Sequence, residues 1–150
     1  MIQISSYESI NKDYIESICL YDSVPLRKIA VAYEKDGKLR RFSGRYGLRT
    51  IFLMEKGHHF LAPYLPKTYL KKLDLDEYFV VDPNRYAIRR KCILEITAHP
   101  NAGQKRDIAE MKKTNGFVSL TKGEKTNLYI FTESGRIYGV HAIKKGGEHA

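Results

Sequence analysis

Between Asp22 and Ala62 the apolar positions change their period. Leu26, Ile29, Ala30 and Tyr33 recur at helical spacing and define one apolar face, with Arg27, Lys28, Glu34 and Lys35 elsewhere on the cylinder. Asp22 or Ser23 can accept hydrogen bonds from the free amides of that helix, and Pro25 suits its first turn. Gly37 stops it, because glycine enters the left-handed conformation at little cost. Beyond the stop, Leu39–Phe42, Arg49–Met54 and His58–Leu61 read as strands, separated by the glycine turn SGRYG and by Glu55-Lys56-Gly57. Upstream, Ile2–Ile4 reads as a short strand and Tyr14–Leu20 as a strand with both faces partly covered.

The same order returns between Pro100 and Val140. Tyr78–Val81 and Tyr86–Ile88 are predicted strands around the turn Asp82-Pro83-Asn84, and Cys92–Ala98 is the counterpart of Tyr14–Leu20. Asn101 with Gln104 three residues on has capping-box spacing, and Ile108 and Met111, supported by Ala109, carry the helix face as far as Asn115-Gly116. Phe117–Leu120, Thr126–Phe131 and Arg136–Ile143 complete the set of strands. A displacement of 78 positions lays Ile10 on Ile88, Ile15 on Ile93, Ile18 on Ile96, Lys35 on Lys113, Glu55 on Glu133 and Gly57 on Gly135. One further residue improves the helix, laying Ile29 on Ile108 and Gly37 on Gly116. A repeat longer than a solenoid unit means duplicated domains. The expected fold is therefore α+β: two tandem copies of a small β-rich module, each a twisted antiparallel sheet with one amphipathic helix. The expected bounds are 1–64 for the first module, 65–77 for a linker containing a short helix at Lys67–Leu73, 78–145 for the second module and 146–150 for a frayed tail.

Composition changes this picture in three ways. At 43% hydrophobic the chain can bury a core, but a lone module of about 70 residues would be marginal, so the copies are expected to pair or oligomerise. No apolar run approaches the roughly 18 residues of a membrane span, and MIQISSYESI lacks a basic segment followed by an apolar core, so neither a membrane partner nor a signal peptide is expected. Cys19 and Cys92 form no CxxC and read as buried free thiols in predicted strands of a cytoplasmic protein.

Charge points outward. The formal net charge is +9, and it divides evenly, +5 over residues 1–74 and +4 over 75–150, so no basic tail accounts for it. Such a balance suggests a polyanionic partner, nucleic acid first. The turns Ser43–Arg49 and Thr121–Lys125 fall at corresponding places, with glycines that let backbone amides approach a phosphate and with Arg45, Arg49, Lys122 and Lys125 beside them. Arg40 and Arg41, and Arg89, Arg90 and Lys91, are further candidates, although neighbours on a strand point to opposite faces and cannot all touch one ligand. The five histidines show no ligand spacing, so no metal or other cofactor is expected. Neither a nucleophile elbow nor a P-loop ending is present, and the chain is expected not to be an enzyme.

The stretch ILEITAHPNAGQKRDIAEMKKTNGFVSLTKGEKTNLYIFTESGRIYGV resembles the RemA/RemB family of bacterial regulators of extracellular-matrix genes. Ala102, Lys105, Arg106, Thr121, Gly123, Thr126 and Ser134 fall into the family pattern without a gap. In the first module Asp22, Ser23, Pro25, Gly37, Lys38, Leu39, Arg49, Met54 and His58 match in register. The resemblance implies a LytTR-like module, sequence-selective binding to double-stranded DNA, regulation of transcription and assembly into ring-shaped homo-oligomers. It also implies an arginine at the places of Tyr14 and Cys92 and two arginines in the turn, where this chain has Tyr46 and Gly47, then Glu124 and Lys125. Those departures set a second expectation, an interaction protein that joins such an assembly without touching DNA. A third is RNA binding, with Tyr46 stacking on bases.

Overall fold

The computed structural model describes residues 1–42, 47–82 and 84–142. It is α+β and divides into two compact units, Met1–Cys92 and Ile93–Ala150.

The first unit is built on β3 (Ile15–Leu20), whose six residues are buried or nearly so. After β3 the chain turns into α1 (Val24–Lys35), where Ser23 Oγ accepts the Leu26 amide at 3.4 Å and Leu26, Ile29 and Ala30 are buried. Then follow β4 (Leu39–Arg41), β5 (Thr50–Met54) and β6 (His59–Ala62). β4 runs parallel to β6, β6 antiparallel to β5, and β5 antiparallel to β3. Ahead of β3, β1 (Ile2–Gln3) and β2 (Ser9–Ile10) form a two-stranded sheet of their own. α2 (Pro66–Leu70) holds Tyr69, fully buried, whose hydroxyl donates to the Ile4 carbonyl at 2.5 Å and accepts the Tyr64 amide at 3.2 Å.

The second unit repeats this plan. β9 (Ile93–Thr97), α3 (Ala102–Lys113), β10 (Phe117–Leu120), β11 (Leu128–Thr132) and β12 (Ile137–Val140) follow in order. β10 is parallel to β12, β12 antiparallel to β11, and β11 antiparallel to β9. The duplication is exact in sequence position: Ile15 and Ile93, Val24 and Ala102, Leu39 and Phe117, Thr50 and Leu128, and His59 and Ile137 each begin matching elements 78 residues apart. The parallel pair in each unit makes the sheets mixed rather than wholly antiparallel.

The extra one-residue shift in the helix is not used. Gly37 corresponds to Asn115, not Gly116, and both adopt the left-handed conformation, at φ 70° and 63°. The caps match in detail: the amides of Lys38 and Gly116 each return to the carbonyl five residues back, at 2.9 Å. Asparagine tolerates this conformation better than other non-glycine residues, so the two stops are chemically different and geometrically equivalent. The Asn101–Gln104 capping box is present in both directions, at 2.8 and 2.9 Å. Ala109, expected on the helix face, is exposed; Ile108 alone is fully buried there.

The larger departure concerns the bounds. β7 (Tyr78–Asp82) and β8 (Tyr86–Arg89) lie beyond the expected linker, yet they belong to the first unit. β8 pairs antiparallel with β3, matching Ser17 with Ile88, Ile18 with Ala87 and Cys19 with Tyr86. The first sheet therefore has six strands, in the order β4-β6-β5-β3-β8-β7, against four in the second, β10-β12-β11-β9. The physical reason is strand satisfaction: β3 is bonded along both sides, which a 1–64 module could not achieve. By the same offset β7–β8 is the counterpart of β1–β2, so the second repeat lends its opening hairpin to the first unit. The tail at 146–150 lies outside the described residues.

Tyr69→Phe removes the donor to a buried carbonyl and is expected to cost about 1–3 kcal/mol. Asn101→Ala breaks the capping box, at roughly 0.5–2 kcal/mol. Urea titration of each variant checks both losses, and wild-type stability in either would contradict the assigned bond.

Candidate nucleic-acid interface

Strand direction decides which basic residues share a surface. In the first unit β4 and β6 end where β5 begins: the Phe42 amide donates to the Leu61 carbonyl at 2.8 Å and the Arg49 amide to that of Ala62 at 2.9 Å. The carboxyl end of β3 lies at the same end, since the Tyr21 amide donates to the Arg49 carbonyl at 2.9 Å. α1 starts three residues later, so its amino terminus opens there too. One end of this sheet thus gathers Arg49 and the exposed Arg27 and Lys28 of the first two helical turns.

The second unit gathers the equivalent groups. Its turn is closed by the Glu124 amide on the Thr121 carbonyl at 3.0 Å, with Lys122 at φ 53° and Gly123 at φ 85°. Two successive left-handed residues are the pattern of a type I′ turn, and only the second is glycine. Lys122, Gly123, Glu124 and Lys125 are all exposed. His141 Nδ1 lies 2.7 Å from the Lys125 carbonyl, and Asn127 exchanges hydrogen bonds with Ala142 at 2.7 and 2.9 Å, tying the base of the turn to the chain after β12. Lys105 and Arg106, exposed at the start of α3, stand 78 positions from Arg27 and Lys28. These four helical residues were not singled out as contacts from sequence; their recurrence at the repeat offset is the signal that could have found them.

The remaining candidates are employed differently. Arg41 holds Glu34 with two bonds, Nε to Oε2 at 2.8 Å and Nη2 to Oε1 at 3.2 Å, and this pairing lowers the Glu34 pKa and raises that of Arg41. Arg40 is exposed on β4. Arg89 donates to the Asp13 carbonyl. Arg90 lies 5.9 Å from the centre of the Phe79 ring, and Lys91 is exposed. Residues 90–92 form a 3₁₀ turn rather than strand, so Cys92 lies in that turn and not in the strand expected for it. Because β8 runs antiparallel to β3, Arg89 to Lys91 follow the opposite end of the sheet from Arg49. Arg45 and Tyr46 lie outside the described residues.

At the two places where arginine was implied, Tyr14 carries Lys56 Nζ 4.1 Å from its ring centre, and Cys92 is buried. Burial, then the nearby carboxylate of Glu55, pushes the Cys92 thiol up to about 12, with Sγ 3.5 Å from Glu55 Oε2. A buried thiol cannot contact DNA. Among the described residues no cluster of His, Cys, Asp and Glu could hold a metal ion, and no helix is long and apolar enough to cross a membrane.

No protein-family model matches the chain, and no curated protein matches it.

Because the folded thiol ionises only near pH 12 while a free one does so near its ordinary value of 9.0, Cys92 contributes stability that is complete below pH 9 and lost as pH rises toward 12. Replacing Cys92 by Ala should flatten the alkaline fall in denaturation midpoint across that window. An unchanged pH profile would remove Cys92 from the account.

Proposed function

We propose that this chain is a DNA-binding protein that grips the duplex backbone with one end of each module, and that it serves as a regulator of transcription. The observation that carries this reading is the repeated placement of exposed cations. Arg27, Lys28 and Arg49 stand with a helix amino terminus at one end of the first sheet, and Lys105, Arg106, Lys122 and Lys125 stand with a helix amino terminus and a turn at the matching end of the second. Helix amino termini favour phosphate through their free amides and dipole. The even division of the +9 charge gives both units the same electrostatic pull. The resemblance to the RemA/RemB family supports the step from phosphate contact to transcription, in the cytoplasm. No catalytic step is part of this reading.

A second reading, an assembly protein that does not itself touch DNA, is favoured by Glu124, which stands exposed in the turn where it would repel phosphate. Tyr46, the residue that suggested RNA binding, lies outside the described residues.

Fluorescence anisotropy with a mixed pool of duplex DNA at two salt concentrations tests the proposal. Each phosphate contact contributes about 0.9 to the slope of log affinity against log salt. Substituting Arg49, Lys122 and Lys125 together by Gln should weaken binding and flatten that slope by roughly 2–3. Arg89→Gln should leave the slope unchanged. Glu124→Lys should tighten binding. Absence of binding at low salt by folded protein would overturn the proposal in favour of the assembly reading.

A further inference from the structure

One buried position is filled differently in the two copies. In the second unit it is Ile137, the first residue of β12; in the first it is His59, the first residue of β6. The backbone leading into both is alike: the His59 amide donates to the Lys38 carbonyl at 2.8 Å, and the Ile137 amide to that of Gly116 at 3.0 Å. The preceding turns are closed by different groups. In the second unit the Thr132 amide donates to the Arg136 carbonyl at 3.2 Å. The corresponding Met54 amide donates instead to the His59 ring, at Nδ1, over 2.9 Å. The same ring stacks on Tyr33 in the last turn of α1, with centroids 4.2 Å apart and planes at 26°, where the second copy has Met111. A titratable ring thus joins three elements that the second unit joins without one.

A backbone amide can only donate, so Nδ1 must hold its lone pair and the ring proton sits on Nε2. A second proton would set N–H against N–H and leave a charge in a buried place. Tyr33 can face a cation, but stacking gives Nδ1 no acceptor and returns none to the Met54 amide. The charged groups on the elements around the ring do not favour that proton. Glu34, beside Tyr33, is held by Arg41, and Glu55 lies 3.5 Å from Cys92 Sγ. Lys35, Lys38, Arg40 and Lys56 are cations, the last of them 4.1 Å from the Tyr14 ring centre. His58 is the ring's neighbour in the chain. We infer that His59 is an acid-sensitive latch: protonation drives its ring out of this place and unfastens the β5–β6 turn and the last turn of α1, while the second unit, closed by Ile137, stays shut. Because the folded arrangement requires the neutral ring, the stability it contributes is complete above the ordinary histidine range and is lost as pH falls. The inference goes beyond the DNA reading and holds whether or not the turns meet phosphate.

Nuclear magnetic resonance of the full chain without DNA is the test. Proton–nitrogen correlation spectra of the rings at neutral pH should show His59 protonated at Nε2 alone. Between about pH 7.5 and about pH 5.5 the unfastened population should rise about tenfold, the limit for one proton bound only by the open form. Hydrogen exchange reads that rise. Corrected for the intrinsic pH dependence of exchange, the Met54 amide should lose this factor in protection and the Thr132 amide should keep its own. His59→Asn, which retains an acceptor near Nδ1 and cannot titrate, should flatten the loss, whereas His58→Asn should show it as wild type does. Unchanged protection of Met54 across the window in wild type overturns the inference. So does a His59 ring protonated at Nδ1 at neutral pH, an acid loss that persists in folded His59→Asn, or one that disappears in His58→Asn.

Discussion

A strand in the middle of a sheet must satisfy its backbone on both sides, and the first unit is arranged around how β3 meets that requirement. β5 comes from the same repeat, close in sequence, and matches Ile18 with Phe52. β8 comes from the next repeat and sets Ala87 against the other side of Ile18. With both sides taken, β3 can bury Ile15, Ile18 and Cys19 and carry even Glu16 and Ser17 inside. The core formed by Ile2, Ile4, Ile10, Tyr69, Tyr78 and their neighbours collects on this strand. An unpaired backbone group in such surroundings would cost about as much as one of these side chains contributes.

The architecture was legible where local chemistry determines it. Ser23 and Asn101 cap helices, Gly37 and Asn115 stop them, and the apolar run Thr50–Met54 became a strand. The repeat offset was legible as well, and its apparent slip in the helix came from preferring glycine over asparagine for a left-handed residue. The true boundary was not legible. Nothing in the letters of Tyr86–Arg89 says whether that strand pairs with β3 or stays with its own repeat. Pairing is a long-range choice, which no local signal in the sequence reports.

The candidate site was half legible for a related reason. Charge counts treat every arginine alike, whereas the structure divides them by employment. Arg41 fastens β4 to α1 through Glu34, and Arg89 reaches the carbonyl of Asp13 just ahead of β3. Such residues hold the sheet's surroundings in place. The cations at the ends of the sheets are placed by strand direction, which depends on the order of pairing. Lys105 and Arg106 were noticed for their likeness to a family pattern, and only the topology gives them a shared surface with Lys122 and Lys125.

The borrowed hairpin also bears on how the protein is made. As the chain emerges during synthesis, all the elements of the first repeat are present once Ala62 has appeared, but the open side of β3 has no partner until Tyr86–Arg89 follows. At ordinary translation rates that interval is on the order of 1–5 s. Throughout it the nascent first repeat carries an unfilled strand edge much like the one β9 keeps in the finished chain. On a crowded polysome, neighbouring nascent chains are at their most adhesive during those seconds.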